Sequence, residues 1–460
     1  MIRAKTEDDL PWGVEMERLC NLKPAERNAR THSKKQIRRI ASSIREFGFL
    51  NPVIVDDTNM ILAGHGRLEA ARQVGLTHVP VVRFDHLTAA QKRAYLIADN
   101  RIAEQAGWDR EMLAIELGEL IDLLPIEGFD ISLTGFDTPE IDLLLADMAI
   151  SQNEPQEAIR LPPRNAVSEP GDLWHLGKHR LLCGDAQQAN QLARLMDRTS
   201  AAAVFCDPPY NLRVSSIGGR GRNKHSEFAF GSGEMSQAQF QRFLSKILSN
   251  GIRFSTEGAI HFVCIDWRHV ADLIAVGRKI YGDMLNLAVW NKTNAGQGSF
   301  YRSQHELIGV FRVGEHPHKN NVELGRHGRN RSNVWTYAGV NTFGRGRMEA
   351  LAIHPTVKPT ALVADALLDC TARGDAVLDQ CSGSGTIFLA ANKVGRVAYG
   401  LEIDPRYVDV AITRWQEATK QEAVLQGDGR TFDEIAELRA KVEPTKAVVR
   451  GLAASGARHG

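Results

Sequence analysis

Residues 201–212, AAAVFCDPPYNL, constrain the fold more than any other stretch of the chain. Ala201 to Cys206 is an unbroken apolar run of strand length, the pattern of a strand buried on both faces inside a parallel sheet. It stops at an acid and two prolines, which cannot extend a hydrogen-bonded ladder and which stiffen the chain. In open α/β sheets the carboxyl ends of strands are where ligands bind. The pattern therefore puts Asp207 and Tyr210 at such an end, on a backbone with little freedom.

The surrounding sequence supports a doubly wound α/β domain. From GDLWHLGKHRLLCGD to about residue 420, strands are predicted near 181–183, 201–206, 259–265, 284–290, 306–312, 376–380 and 397–403, with helical segments between most of them. The stretch 151–170 is polar, proline-rich and aperiodic, as an interdomain linker is. Residues 1–150 form a smaller unit that alternates helix and strand. In SKKQIRRIASSIREFG the residues Ile37, Ile40, Ala41, Ile44 and Phe47 share one helical face and Gly48 is the stop. Strands PVIVD, MILAG and VPVVRF follow, interleaved with helices RLEAARQVG and TAAQKRAYLIADNRIAE, then two more helices near 109–124 and 138–149. The expected organisation is a first domain over 1–150, a linker over 151–170 and a second domain over 171–440. That domain carries an insert at about 312–350, and a disordered tail follows at 441–460.

Charge and cysteine content narrow the setting. The chain has 56 basic and 55 acidic residues, so any nucleic-acid contact must come from local patches. Six cysteines occur without a CxxC pair, which fits a reducing compartment and argues against structural zinc; no metal is expected. The amino terminus has no apolar signal core and no run reaches the length of a membrane span, so a cytoplasmic protein without membrane contact is expected.

A second strand-to-loop-to-helix signal lies in AVLDQCSGSGTIFLAANKVG, residues 376–395. Asp379 ends the strand, and Gly383 and Gly385 let the backbone approach a ligand before the helix opens. About twenty residues on, VAYGLEIDPRY ends a further strand in Glu402, the spacing at which Rossmann-like folds hydrogen-bond ribose hydroxyls. A glycine pair after a strand is as often an ordinary tight turn. With the acid at this spacing, a nucleoside-containing cofactor is the better reading.

DPPY, the glycine-rich DQCSGSGT and HPTVKP at 354–359 together resemble the S-adenosylmethionine-dependent amino-methyltransferases of DNA, over residues 169–420. The catalytic motif precedes the cofactor motif, which is similar to the beta-class arrangement. The resemblance implies a Rossmann-like methyltransferase sheet, with Asp207, Pro208, Pro209 and Tyr210 as the catalytic residues. It also implies a donor site of Asp185, Asp379, Ser382, Gly383, Gly385, Thr386, Glu402 and Asp404, with Thr356 and Lys358 beside the donor's methionine moiety. Gln380 and Cys381 depart from the family, which has proline and an aromatic there.

The chemistry follows from the residues. An exocyclic amino group is a poor nucleophile because its lone pair is delocalised into the ring. If the Asp207 carboxylate and the Pro208 carbonyl accept its hydrogens, the nitrogen moves toward tetrahedral geometry and can attack a sulfonium methyl in line. Tyr210 offers a face on which a flipped-out base can stack. The competing reading of Cys206 as a nucleophile, as in ring-carbon methylation, lacks the prolyl-cysteine motif; a small buried hydrophobe is the plainer account.

Two basic stretches flank these motifs. Residues 212–225 hold three Arg and one Lys without an acid, among them Arg220, Arg222 and Lys224. Residues 319–347 hold one Lys and five Arg against one Glu, including Arg326, Arg329, Arg331, Arg345 and Arg347, interleaved with Trp335, Tyr337 and Phe343. These arginines and lysines are the expected contacts to double-stranded DNA.

In the first unit, ILAGHGRLEAA at 61–71 ends a strand in Gly64, His65, Gly66 and Arg67 and opens a helix, a phosphate-binding corner. With NARTH upstream and LNPVIVD before it, residues 18–104 resemble the amino-terminal α+β domain of ParB-type partition proteins, related to sulfiredoxins. That resemblance implies a nucleotide such as CTP or a nuclease role. A turn kept for folding, or for gripping DNA backbone, is equally consistent with the residues.

The leading expectation is a site-specific DNA methyltransferase acting on adenine N6. Cytosine N4 enzymes more often begin the motif with serine. Methylation of protein glutamine or of RNA goes with asparagine in place of Asp207. A different class, a nucleotide-gated DNA-binding protein with a passive second domain, would bind without turnover. The family resemblance also implies a homodimer.

Overall fold

The computed structural model describes residues 13–151, 162–212, 233–281, 283–293, 295, 300–322, 331–338 and 357–441. The chain divides into two compact units, 1–151 and 152–460.

The first unit carries a four-stranded sheet. Its elements are β1 (Glu15–Arg18), α1 (Lys34–Phe47), β2 (Val53–Asp56), β3 (Ile61–Ala63), α2 (His65–Val74), β4 (His78–Phe84) and α3 (Ala89–Ala103). The strand order is β1-β4-β2-β3, with only the β2–β4 pair parallel. Ser33 caps α1 by accepting from the Gln36 amide, and Gly48 ends it at φ 79°, a backbone conformation that favours glycine. Ile37 and Ala41 pack against Ala70 of α2, with Ile40 and Ile44 partly covered. Phe47, expected on the same face, is half exposed, because the apolar cluster ends one turn earlier. Helices α4 (Arg110–Ile126) and α5 (Thr138–Ser151) pack on each other through Ala114, Leu117, Ile141 and Leu144, apart from the sheet's own core.

The second unit is built on a ten-stranded mixed sheet. Its elements run β5 (Leu173–Leu176), β6 (His179–Cys183), α6 (Ala189–Met196), β7 (Ala201–Cys206), α7 (Gln237–Arg253), β8 (Ser255–Ile265), α8 (Val270–Ile280), β9 (Met284–Lys292), β10 (His305–Arg312), β11 (Val334–Tyr337), α9 (Thr360–Cys370), β12 (Ala376–Asp379), α10 (Thr386–Lys393), β13 (Val397–Glu402), α11 (Pro405–Thr419) and β14 (Ala423–Leu425). The order is β11-β9-β10-β8-β7-β12-β13-β6-β5-β14. Strands β8, β7, β12, β13 and β6 form a parallel centre.

All seven predicted strands are present. The short β5, β11 and β14 were not predicted; three or four residues carry too little periodicity to stand out. Ala203 and Phe205 of β7 enter the core on one side of the sheet, while Ala201, Val204 and Cys206 enter the core on the other. This is the two-faced burial that the apolar run implied. From β7 the chain leaves toward β8, whereas from β12 it leaves toward β13 on the opposite side, so the two adjacent strands flank a topological switch point. Among the described residues no helix is long and apolar enough to cross a membrane.

Candidate active site

Four strand ends stand side by side at this switch point. Asp207 follows β7, Asp379 ends β12, Glu402 ends β13, and Gly184 and Asp185 follow β6, whose Cys183 pairs with Glu402. They open into a cavity of about 1400 Å³, mouth included, which Pro208, Pro209 and Tyr210 also line. Ser382, Gly383, Thr386, Asp404 and Lys358 complete its wall, so the expected catalytic and donor residues that the structure describes converge on one space. Gly385 sits behind it as the cap of α10, and Thr356 lies outside the described residues.

One half of the cavity is a buried charge network. Lys358 Nζ lies 2.6 Å from Asp207 Oδ2 and 2.9 Å from Glu306 Oε2. The Tyr210 hydroxyl donates to Asp207 Oδ1 at 2.5 Å and reaches Glu306 Oε2 at 3.2 Å. Lys292 closes the chain, donating to Glu306 Oε1 at 2.5 Å. Burial would raise Glu306, but Lys358 and Lys292 hold its pKa at about 2. Burial raises Asp207 above the ordinary carboxylate value; Lys358 opposes that shift and Glu306 reinforces it. Burial would also strip Lys358 of its proton, yet Asp207 and Glu306 keep it firmly an ammonium. Tyr210 is pushed well up by burial and stays a neutral donor.

The other half is backbone held by carboxylates. The Gly383 amide donates to Glu402 Oε2 at 2.8 Å and the Asp404 amide to Oε1 at 2.9 Å. Gly383 (φ 50°) and Gly385 (φ 79°) both take the left-handed conformation that lets the turn double back. A Cβ on Gly385 would meet the Ala411 Cβ at 2.6 Å, so α10 and α11 approach closely there. Asp379 accepts from the Cys381 amide at 3.0 Å, and burial pushes its carboxyl well up. Burial also raises Glu402, to about 7, against the two amides. Asp404 caps α11, accepting from the Arg406 amide, and Asp185 accepts from the Gln187 amide at 2.9 Å.

Several residues do something other than expected. Lys358 is ion-paired to Asp207, a contact the sequence reading did not foresee. Gln380, in place of the family's proline, is buried and donates to the Ile247 carbonyl at 2.7 Å, tying the glycine turn to α7. Cys206 is fully buried with its thiol pushed far up by its Cys381 contact and burial, which removes it as a nucleophile. Arg331, one of the expected DNA contacts, is paired within the chain. Its guanidinium lies 3.0 Å from Asp365 and 2.9 Å from Asp369 and sits over the Trp335 ring, so its charge is neutralised inside the protein. Arg220, Arg222, Lys224, Arg326, Arg329, Arg345 and Arg347 lie outside the described residues, as does the stretch 442–460.

In the first unit Gly64 caps α2 at φ 100°, and Gly64, His65, Gly66 and Arg67 line a cavity of about 560 Å³ with Arg30, His32 and Asn100. A Cβ on Gly66 would meet the His32 ring at 3.0 Å. His65 accepts from the Ala25 amide at 3.3 Å, and burial, then the neighbouring His32, lowers its pKa, so it sits there as a neutral ring. Arg67 donates to the Asn51 carbonyl at 3.1 Å.

Comparison with known families separates the same parts. The DNA methylase family matches residues 201–413, the ParB N-terminal domain matches 13–100, and a ParB-methyltransferase HTH domain matches 111–170. Residues 201–413 belong to the DNA methylases of the N6/N4 amino type, in one chain with a ParB-like amino-terminal domain. This methylase is 44% identical over 75 residues to the ParB-like nuclease domain-containing protein YnaK of Escherichia coli, covering 16% of this chain and 86% of that one. It is 24% identical over 251 residues to the type II methyltransferase M.HpaI of Haemophilus parainfluenzae, covering 51% of this chain and 73% of that one. Among solved structures, PvuII DNA methyltransferase (cytosine-N4-specific) aligns with a TM-score of 0.41 at 14% identity, over 57% of this chain and 91% of that one.

The sequence reading of this methylase missed Glu306, Lys292 and the helix-turn-helix match to α4 and α5. Glu306 had a signal of its own: an acid inside the apolar strand HELIGVFR needs a buried partner. The helical pair had none beyond amphipathicity.

Proposed function

We propose that the methylase moves a methyl group from S-adenosylmethionine to the N6 amino group of an adenine flipped out of double-stranded DNA. The observation that carries this reading is the placement of Asp207, followed by two prolines, in the same cavity as the glycine turn and Glu402. Adenine over cytosine rests on Asp207 itself, since serine more often opens the motif of the N4 enzymes.

The cavity suits the donor. Gly383 and Gly385 keep the turn bare of side chains, and Glu402 has lone pairs left beyond its two amide bonds for ribose hydroxyls. Asp185, at the end of β6, would meet the adenine of the donor. When bound, S-adenosylmethionine supplies an electrophilic methyl on a sulfonium. The rest is done by the chain. Asp207 and the Pro208 carbonyl accept the two amine hydrogens and free the nitrogen lone pair. Tyr210 presents its ring to the extruded base. After transfer the nitrogen carries one proton too many, and Asp207, with its raised pKa, is placed to take it.

The ParB-like unit contributes a second, phosphate-sized site at Gly64 to Arg67. CTP titrated onto the full chain tests whether that corner takes a nucleotide or serves only to grip DNA backbone.

The main reading is tested with methyl-labelled donor, the full chain and mixed genomic DNA, followed by nucleoside analysis. Label in N6-methyladenine is expected. Label in N4-methylcytosine would keep the mechanism and change the base. Bound donor without any label would overturn the reading in favour of a passive, DNA-binding domain.

A further inference from the structure

Asp207 must accept hydrogens from the target amine, yet each of its oxygens already holds a donor, one of them an ammonium. Tyr210 holds Oδ1 at 2.5 Å and Lys358 holds Oδ2 at 2.6 Å. An ammonium and an exocyclic amine make the same kind of contact to a carboxylate, N–H to oxygen at hydrogen-bond length. The same Lys358 Nζ lies 2.9 Å from Glu306, which Lys292 fixes from its other oxygen. Glu306 stands opposite Trp290 in the β10–β9 ladder, and Lys292 lies two residues on, on the same face as Trp290. The Nζ is 5.7 Å from the ring centroids of both Tyr210 and Trp290, so aromatic faces flank the space between the two carboxylates.

We propose that Lys358 is a place-holder for the target amino group on Asp207, and that Glu306, anchored by Lys292, is the positioning residue that keeps the ammonium when the base takes its place. The proposal rests on the methyltransferase reading of Asp207. Its physical logic is charge balance in a buried site. Without Lys358, Asp207 and Glu306 would be two close like charges that cannot both stay ionised. Without Glu306, a base arriving at Asp207 would take from a buried ammonium both of the carboxylates it pairs with at 2.6 and 2.9 Å, which is strongly unfavourable. With both, Lys358 loosens one contact and keeps the other. Asp207 is thus held charged and pre-aimed in the free protein, and is released only to a group that donates as the lysine did.

The test is a double-mutant cycle on the full chain, read as the KM for genomic DNA, with donor affinity as the control. Glu306→Gln should raise the KM at least tenfold with donor affinity unchanged, because Lys358 then stays on Asp207. In a Lys358→Met background the same substitution should leave the KM where it was or lower it, since no place-holder remains to be received and one of two facing acids is gone. Where the lysine variant turns over too slowly, the cycle is read as duplex affinity with S-adenosylhomocysteine bound. The duplex carries 2-aminopurine at a modified site found by sequencing the wild-type reaction's product. An equal loss from Glu306→Gln in both backgrounds would make Glu306 a structural residue and overturn the proposal. A wild-type enzyme that binds donor but transfers no label would bring down the underlying reading as well, a result distinct from an additive cycle in an active enzyme.

Discussion

The Gly383 amide donates to Glu402 Oε2 at 2.8 Å across nineteen residues of sequence, so the glycine turn and the acid of the next strand form one unit. A buried carboxylate raised to about 7 makes that unit sensitive to pH. Ribose hydroxyls donate best to the ionised form, so donor binding favours loss of the Glu402 proton. Donor affinity should therefore be full above pH 7 and weaken as pH falls below it, with proton release on binding near neutrality. Calorimetric titration in buffers of different ionisation heat between pH 5.5 and 8.5 checks this. Glu402→Ala should weaken donor affinity by about 1–3 kcal/mol, the scale of a lost hydrogen bond to a charged group, and should remove the pH dependence.

Asp207→Ala should cost at least about 10²–10³-fold in methyl transfer, the range seen for removal of one electrostatic group at a reacting centre. Donor affinity should stay near that of the wild type, because Asp207 belongs to the half of the cavity that faces the base. Asp207→Asn keeps the shape while removing the charge that pairs with Lys358, and should be similarly inactive. Single-turnover label transfer beside equilibrium donor binding separates the two effects. Normal turnover by either variant would remove Asp207 from the chemistry.

The strands that carry this chemistry were readable because β7, β12 and β13 are buried on both faces, which leaves unbroken apolar runs ending in acids. The turn at Gly383 and Gly385 was readable because only glycine suits its backbone angles. Glu306 was readable as an acid in need of a buried partner, but that partner was not, because it depends on an antiparallel register. Glu306 reaches Lys358 because β10 pairs with both β9 and β8, and nothing local in HELIGVFR states that pairing. Phe47 misled for a related reason: helical periodicity names a face, but it does not say how far along the helix the neighbour extends. Arg331 looked like a DNA contact because a basic stretch does not show which of its charges meet acids from another element.

Gly385 and Gly374 offer a matched pair of substitutions. Both have φ near +80°, so alanine is strained at either, by roughly 1–2 kcal/mol. At Gly374 a new Cβ meets nothing within 4 Å, whereas at Gly385 it meets Ala411 at 2.6 Å. Gly385→Ala should therefore destabilise the second unit by about 1–3 kcal/mol more than Gly374→Ala, the range for overpacking a tight core. It should also weaken donor binding, because relief of the clash must move α10 or the turn before it. Denaturant unfolding with parallel donor titration reads both. Equal losses would mean that the α10–α11 approach is looser than the structure has it.

Arg331 and Arg329 lie two residues apart in the same basic stretch and should behave differently. Arg331 neutralises Asp365 and Asp369, which stand four residues apart on α9 and would repel each other without it. The Tyr337 hydroxyl also donates to Asp365 at 2.5 Å, so the arginine completes a small polar cluster between β11 and α9. Arg331→Ala should lower stability by about 1–3 kcal/mol, the cost of taking a cation from two partly buried acids, while the salt dependence of DNA binding stays as it was. Arg329→Ala should do the reverse. If Arg329 meets a phosphate, its loss leaves stability unchanged and flattens the slope of log affinity against log salt by about 0.9. Thermal unfolding and DNA titrations at several salt concentrations decide the matter. A flattened slope for Arg331→Ala would mean that its ion pairs open on DNA and that the cluster is a store of charge for binding.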